Sequence, residues 1–174
     1  MGVITLVLGG ARSGKSAHAQ ALAEANPGEL VFVATAEAMD DEMAERIARH
    51  RADRGPRWRT VNAPLTLSEV VVRERCVGRT LLVDCLTVWL GNLMHYEIAI
   101  KPAVDALLYA LRTGEGNIIL VSNEVGLGLV PETPLGRSFR DEAGRLNQCV
   151  AQIADRAILI VSGLEVALKT NAAY

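Results

Sequence analysis

Aromatic side chains make up only 4% of this 174-residue sequence. A platform on which single-stranded nucleic acid stacks its bases needs several rings side by side, so that class of function is disfavoured. Charge of one sign is lacking as well, with 18 Lys and Arg against 20 Asp and Glu. A formal charge of −2 exerts no long-range pull on nucleic acid or anionic membranes, and any anion must be bound locally. The three cysteines, Cys76, Cys85 and Cys149, are scattered and form no Cys-x-x-Cys pair. That excludes a disulfide framework and a structural zinc, and points to a reduced, cytoplasmic setting. No apolar run is long enough to span a bilayer, and the N-terminal run is too short for a signal peptide. Gly2 opens a myristoylation pattern that fails at Leu6, where Ser or Thr is required. Repeats, low-complexity tracts and linkers are missing too. One domain over residues 1–174 is therefore expected, since domains commonly run about 100–200 residues.

What is present begins with an apolar run, Val3 to Leu8, followed directly by GGARSGKS. This octet fits Gly-x4-Gly-Lys-Ser at every defined position and lies between a strand and a helix, the context the pattern requires. Backbone N–H groups of Gly9, Gly10, Ala11, Arg12, Ser13 and Gly14 are expected to turn inward around a phosphate chain. Lys15 then reaches the β and γ phosphates, and Ser16 offers its hydroxyl to Mg²⁺. The free N–H groups at the start of the next helix add positive potential.

Half of the residues are hydrophobic, and with so few rings the core is expected to be aliphatic. Further apolar strands are expected at 30–34, 80–84, 117–121 and 157–161, with a short extended piece at 58–61. Helices are expected from Lys15 to the Asn26-Pro27-Gly28 stop, from Asp40 to Arg54, from Pro64 to Cys76, from Cys85 onward with an interruption at Lys101-Pro102, and from Leu135 to Asp155. The alternation predicts a three-layer α/β domain of the P-loop NTPase type with a mostly parallel central sheet and right-handed crossovers. Ligands of such sheets bind at the carboxyl ends of the strands, and Gly9, Thr35, Asp84 and Asn123 all fall there.

Asp84 closes the run Leu81-Leu82-Val83, where the acidic partner of a Mg²⁺ opposite Ser16 is expected. His50 lies among Arg46, Arg49, Arg51 and Arg54, with Arg57 and Arg59 following. Two readings are open for it. In one, the arginines keep the imidazole neutral and hold phosphate oxygens while His50 attacks an α-phosphate. In the other, His50 belongs to a solvated basic helix end that complements the helix dipole. His18 lies on the helix after the loop, where packing against the sheet and function are equal readings, and His95 lies in a helical stretch without nearby acid or base partners; neither makes a metal-ligand spacing. In Ser122 to Asn147, Glu124, Arg137 and Arg140 are candidates for binding a large acceptor. Salt bridges from the arginines to Asp141 and Glu142 are an equal alternative.

Taken together, GGARSGKS, VATAEAMDDEM, RIARHRADR with WRT, LLVDCLTVWLGN and VSNEVGLGLVPETPLGRSFRDEAGRLNQ resemble the bifunctional adenosylcobinamide kinase / adenosylcobinamide-phosphate guanylyltransferase family of cobalamin biosynthesis. The resemblance covers almost the whole chain. It implies phosphorylation of adenosylcobinamide with ATP or GTP, then transfer of GMP from GTP through a histidine to adenosylcobinamide phosphate. It also implies that His50 is the guanylylated residue. Nucleotide contacts are implied for Gly9 through Ser16, for Ala34, Thr35 and Ala36, for Arg51, Ala52, Asp53 and Arg54, and for Asn62 and Asp84. A homotrimer is implied too. Asn62 departs from the family, which usually has an acidic residue there, and Ala17 replaces a common basic residue. Reading the phosphate loop without the resemblance leaves two rivals, a small-molecule kinase with no covalent nucleotide and a regulatory NTPase switch.

Overall fold

Strands form where aliphatic residues run together, and helices where they recur every three to four positions. The computed structural model describes residues 2–37 and 55–170. Within them the order is β1 (Ile4–Gly9), α1 (Lys15–Glu24), β2 (Glu29–Ala34), β3 (Trp58–Asn62), α2 (Leu67–Glu74), β4 (Arg79–Asp84), α3 (Leu86–His95), α4 (Ile100–Thr113), β5 (Asn117–Asn123), α5 (Pro134–Ile153), β6 (Arg156–Val161) and β7 (Leu164–Lys169). The helix expected from Asp40 to Arg54 lies outside the described residues, and with it His50, Arg51, Ala52, Asp53 and Arg54.

The strands form one sheet in the order β3-β2-β4-β5-β1-β6-β7. Every pairing is parallel except β6 with β7. Successive side chains alternate across a strand, and the central strands use the alternation to build two cores. Leu6, Val31, Val33, Leu81, Val83, Ile118 and Leu120 face α2, α3, α4 and α5. Val7, Leu30, Leu82, Ile119, Val121, Ile158 and Ile160 face α1, whose Ala19 and Ala23 are fully buried. Alanine at this spacing lets α1 approach the sheet closely. The result is the expected α/β architecture, with helices on both faces of a mostly parallel sheet.

Some boundaries differ from expectation, each for a local reason. The break in the long helical region falls at Tyr96 to Ala99, not at Lys101-Pro102. Glu97 adopts φ 54°, while the N–H groups of Glu97 and Ile98 donate to the carbonyls of Met94 and Leu93 at 3.3 and 2.8 Å. This closes α3 as a Schellman turn. Pro102 then lies in the first turn of α4, where a missing N–H leaves no helical bond unmade. The helix expected from Pro64 to Cys76 is shorter, at Leu67–Glu74. β7 has no counterpart in the sequence reading. It is joined to β6 by Ser162 and Gly163, both at positive φ of 52° and 80°, the conformation of a type I′ hairpin turn.

Arg57 and Arg59, read as possible phosphate ligands, are used at the amino-terminal edge of the sheet. Arg57 donates to the carbonyls of Glu24, the last residue of α1, and of Asn26 and Gly28 beyond it. Arg59 bridges Glu29 at 2.9 Å and the buried Glu74 at 2.6 Å, and Arg79 joins the same two carboxylates. The hydrogen bond from Arg59, aided by Arg73, holds the Glu74 carboxyl below its ordinary range against the opposing effect of burial. These arginines tie β2, β3 and β4 together where the strands begin.

Candidate active site

The phosphate loop is an arch between β1 and α1, and its shape follows from two glycines. Gly9 ends β1 so close to its surroundings that a Cβ would meet Ser13 Oγ at 2.4 Å and the Ile160 carbonyl oxygen at 2.9 Å. Gly14 has φ 93°, which a larger residue adopts only with strain. Within the arch, the Ser13 N–H donates to Gly10 O at 3.3 Å and Lys15 Nζ donates to Gly10 O at 3.1 Å. The Ser13 hydroxyl is buried and has no hydrogen-bond partner among the described residues. A buried hydroxyl left unpaired in the turn between β1 and α1 suits a phosphate oxygen. From behind, the β6–β7 turn supports the loop, because the Gly163 N–H donates to Ser13 O at 2.8 Å. The Ser-Gly pair between two apolar runs was the available sign of this hairpin.

The pleat selects which other side chains meet the arch. Leu82 and Val121 belong to the core under α1, so by alternation Asp84 and Asn123 project on that same face. Register brings Asn123 opposite Gly9, and Asp84 opposite both Ala34 and Val121. Ala34 is buried and in turn opposes Asn62, which is exposed at the end of β3. Ala36 is half-buried just beyond β2. Ser16 lies in the first turn of α1. Gly9 through Ser16, Ala34, Ala36, Asn62 and Asp84 are thus gathered along the carboxyl edge of the sheet, as expected of an α/β ligand site.

Thr35 is there too, but its hydroxyl is engaged. It donates to Cys85 O and accepts from Cys85 N, each at 2.8 Å, and the residue is fully buried. The side chain therefore shapes the turn after Asp84. Asn92 fastens the same region by donating to Thr35 O at 2.8 Å and Pro64 O at 3.0 Å. Burial, reinforced by the charge on Asp84, pushes the Cys85 thiol up, so it stays protonated and is no nucleophile.

The loop between β5 and α5 is braced by the residues read as acceptor ligands. Glu124 accepts from the Gly126 N–H at 2.7 Å, and Arg140 donates to Gly126 O at 2.6 Å. Arg137 donates to Pro131 O and Glu132 O at 3.1 and 2.7 Å. Glu142 pairs with Arg145. Leu127 and Leu129 project from this loop with 84% and 96% exposure, so it offers an apolar surface beyond the carboxyl end of β5. His18 of α1 lies 3.2 Å from Glu165 of β7. His95 stacks edge-on with Tyr96.

A buried network escaped sequence reading. Thr87 of α3, Ser122 of β5 and Asn147 of α5 are each at most 6% exposed. The Ser122 hydroxyl donates to Asn147 Oδ1 at 2.7 Å and lies 3.2 Å from Thr87 Oγ1. Thr87 Oγ1 accepts from the Asn123 N–H at 2.7 Å, and Asn147 Nδ2 donates to Asn123 O at 3.1 Å. Polar residues scattered through apolar segments gave no pattern from which to assemble it.

No group of three or more His, Cys, Asp or Glu that could hold a metal is found among the described residues, and no described helix is long and apolar enough to cross a membrane. A cavity of about 380 Å³ lies at the opposite edge of the sheet, away from the phosphate loop.

A phosphate loop opening into the first helix, an acidic strand end on the same face and a strand between the two define a nucleotide-binding protein of the P-loop class. Two solved structures share the fold. One is PH0250 from Pyrococcus horikoshii OT3, with a TM-score of 0.58 and 10% identity over 99% of this chain and 90% of the other. The other is the type III secretion ATPase EscN of enteropathogenic E. coli, with a TM-score of 0.56 and 14% identity over 95% of this chain and 48% of the other. The family model described as cobinamide kinase / cobinamide phosphate guanyltransferase matches residues 5–168. Relatives include the bifunctional adenosylcobalamin biosynthesis protein CobP of Pseudomonas aeruginosa, 48% identical over 94% of this chain and 96% of the relative. The corresponding protein CobU of Escherichia coli K12 is 38% identical over 96% of this chain and 100% of the relative. The chain belongs to the cobinamide kinase / cobinamide phosphate guanyltransferase family.

Proposed function

We propose that the crevice over the phosphate loop serves both reactions of the family in turn. In the first, the hydroxyl of adenosylcobinamide's aminopropanol arm attacks the γ-phosphorus of ATP or GTP. In the second, His50 attacks the α-phosphorus of GTP, pyrophosphate leaves, and the corrinoid phosphate displaces GMP from the imidazole to give adenosylcobinamide-GDP. The observation that carries this reading is the arch itself, with its buried, unpartnered Ser13 hydroxyl, on the face toward which Asp84 projects.

Each residue has a separate task. The loop N–H groups and Ser13 hold the phosphate chain, and Lys15 exchanges Gly10 O for β and γ oxygens. Arg51 and Arg54 steady the α-phosphate while His50 carries GMP. Ala34, Ala36 and Asn62 border the nucleoside, with Thr35 fixing the turn beside it, and Arg51, Ala52, Asp53 and Arg54 contribute further nucleotide contacts in this proposal. Ser16 and Asp84 fit Mg²⁺, because a hydroxyl and a carboxylate are hard oxygen donors and this ion completes its shell with phosphates and water. When bound, Mg²⁺ neutralises charge that develops on the phosphates. The apolar tip of the β5–α5 loop, with Glu124, Arg137 and Arg140 shaping it, borders the corrinoid. A cytoplasmic homotrimer completes the proposal.

Incubation with α-labelled GTP tests the covalent step. An acid-labile, base-stable label on the protein that is absent from His50→Ala is the expected result. Equal labelling of His50→Ala would refute the assignment.

A further inference from the structure

Asn123 is the strongest unassigned feature at the crevice. Its backbone is clamped on both sides, with the N–H held by Thr87 and the carbonyl by Asn147. The next N–H, of Glu124, donates to Gly9 O at 3.1 Å, which locks this strand end to the start of the phosphate loop. The side chain contrasts with its backbone, for its Oδ1 is buried and has no hydrogen-bond partner among the described residues. A buried polar atom left unpaired in an otherwise satisfied network marks a place where a ligand completes the bonding.

Its location indicates which ligand. β5 lies between β1, which carries the phosphate loop, and β4, which carries Asp84. Ser122 turns toward α3 and α5, so Asn123 turns to the α1 face that Asp84 also occupies. Gly9 is its register partner. A triphosphate running through the arch toward Asp84 therefore passes over this carboxamide with its terminal phosphate. A carboxamide accepts through its oxygen and donates through its nitrogen, and turning it over exchanges the two ends without changing its shape. Phosphate oxygens supply only acceptors, so they satisfy the nitrogen and leave the oxygen for a donor. The donor that belongs beside a γ-phosphate in this reaction is the acceptor alcohol.

We infer that Asn123 is a catalytic residue of the kinase step, its amide nitrogen donating to a γ-phosphate oxygen while its amide oxygen accepts from the attacking hydroxyl. The inference rests on the kinase reading above. Both reactants are then aligned by one group, whose backbone the Thr87–Ser122–Asn147 network holds in place. As the alcohol oxygen bonds to the γ-phosphorus, the bond to the β,γ-bridging oxygen breaks and its electron pair leaves with the nucleoside diphosphate. The hydroxyl proton is released to water, since a carboxamide orients it without accepting it.

The test uses the full chain and three measurements on Asn123→Ala and Asn123→Asp: adenosylcobinamide phosphorylation, affinity for β,γ-imido-GTP, and affinity for GDP. GDP lacks the γ-phosphate, so its affinity reports whether the site is intact. Both variants are expected to bind GDP within about threefold of wild type, lose about tenfold of the preference for the triphosphate, and lose about 100-fold in kcat. Unchanged kcat and triphosphate preference would overturn the inference. So would GDP affinity falling in step with kcat, which is the mark of a purely structural residue. Absence of phosphorylation by the wild type would instead overturn the kinase reading.

Discussion

Adding one methyl group at Gly9 should damage nucleotide binding more than its size suggests. In Gly9→Ala the new carbon lies 2.4 Å from Ser13 Oγ and 2.9 Å from the Ile160 carbonyl oxygen, both well inside ordinary contact. Ser13 can rotate away, but its hydroxyl then leaves the interior of the arch. Ile160 cannot yield so easily, because its backbone is part of β6 and pairs with Gly9 itself. Overpacking of this kind costs about 1–3 kcal/mol. For a chain of this length that lowers the thermal midpoint by about 2–12 °C. Displacing the N–H groups that cradle phosphate should weaken β,γ-imido-GTP binding about ten- to 100-fold, or about 1.4–2.7 kcal/mol. Thermal unfolding and calorimetric titration read the two effects. Gly10→Ala is the control for stability, since a Cβ there has nothing within 4 Å among the described residues. If Gly9→Ala matches wild type in midpoint and affinity, the close approach of β1, Ser13 and β6 is not what shapes the loop.

Two further outcomes are expected. The Glu74 carboxyl is lowered chiefly by its hydrogen bond from Arg59, so the stability it contributes is fully present above its ordinary value of 4.5 and is lost as pH falls through the lower folded value. Urea midpoints of wild type and Glu74→Gln should therefore differ at pH 7 and converge in acid, and a constant gap would refute the linkage. Arg140→Ala releases Gly126 O and loosens the β5–α5 loop. It should raise KM for the corrinoid about tenfold while leaving KM for the nucleotide within twofold, and equal effects on both would contradict a corrinoid-bordering loop.

Much of the candidate site's framework was legible because its determinants are local. GGARSGKS specifies the turn and the helix start within eight residues, and Asp84 ends an apolar run as a strand end does. The parallel sheet was legible from the alternation of aliphatic runs with helical segments. What escaped depends on contacts between distant segments. β7 is exposed along its whole length, so no buried apolar run signals it, and only its turn residues could have. The bond from Thr35 to Cys85 joins residues fifty apart, so nothing local in the sequence signals that this hydroxyl is engaged. Arg57 and Arg59 look continuous with the basic cluster around His50, yet they face the other edge because β3 carries them to the start of β2. Pro102 was read as a breaker, although in the first turn of a helix it breaks nothing.

The central claim is that one phosphate loop presents GTP to His50 and a triphosphate to the corrinoid alcohol. The most direct test is the rate of His50 labelling by α-labelled GTP in increasing β,γ-methylene-ATP, beside inhibition of adenosylcobinamide phosphorylation by the same analogue. A shared loop predicts competitive inhibition of both reactions with the same inhibition constant. Labelling that continues undiminished when the analogue has silenced the kinase reaction would contradict it.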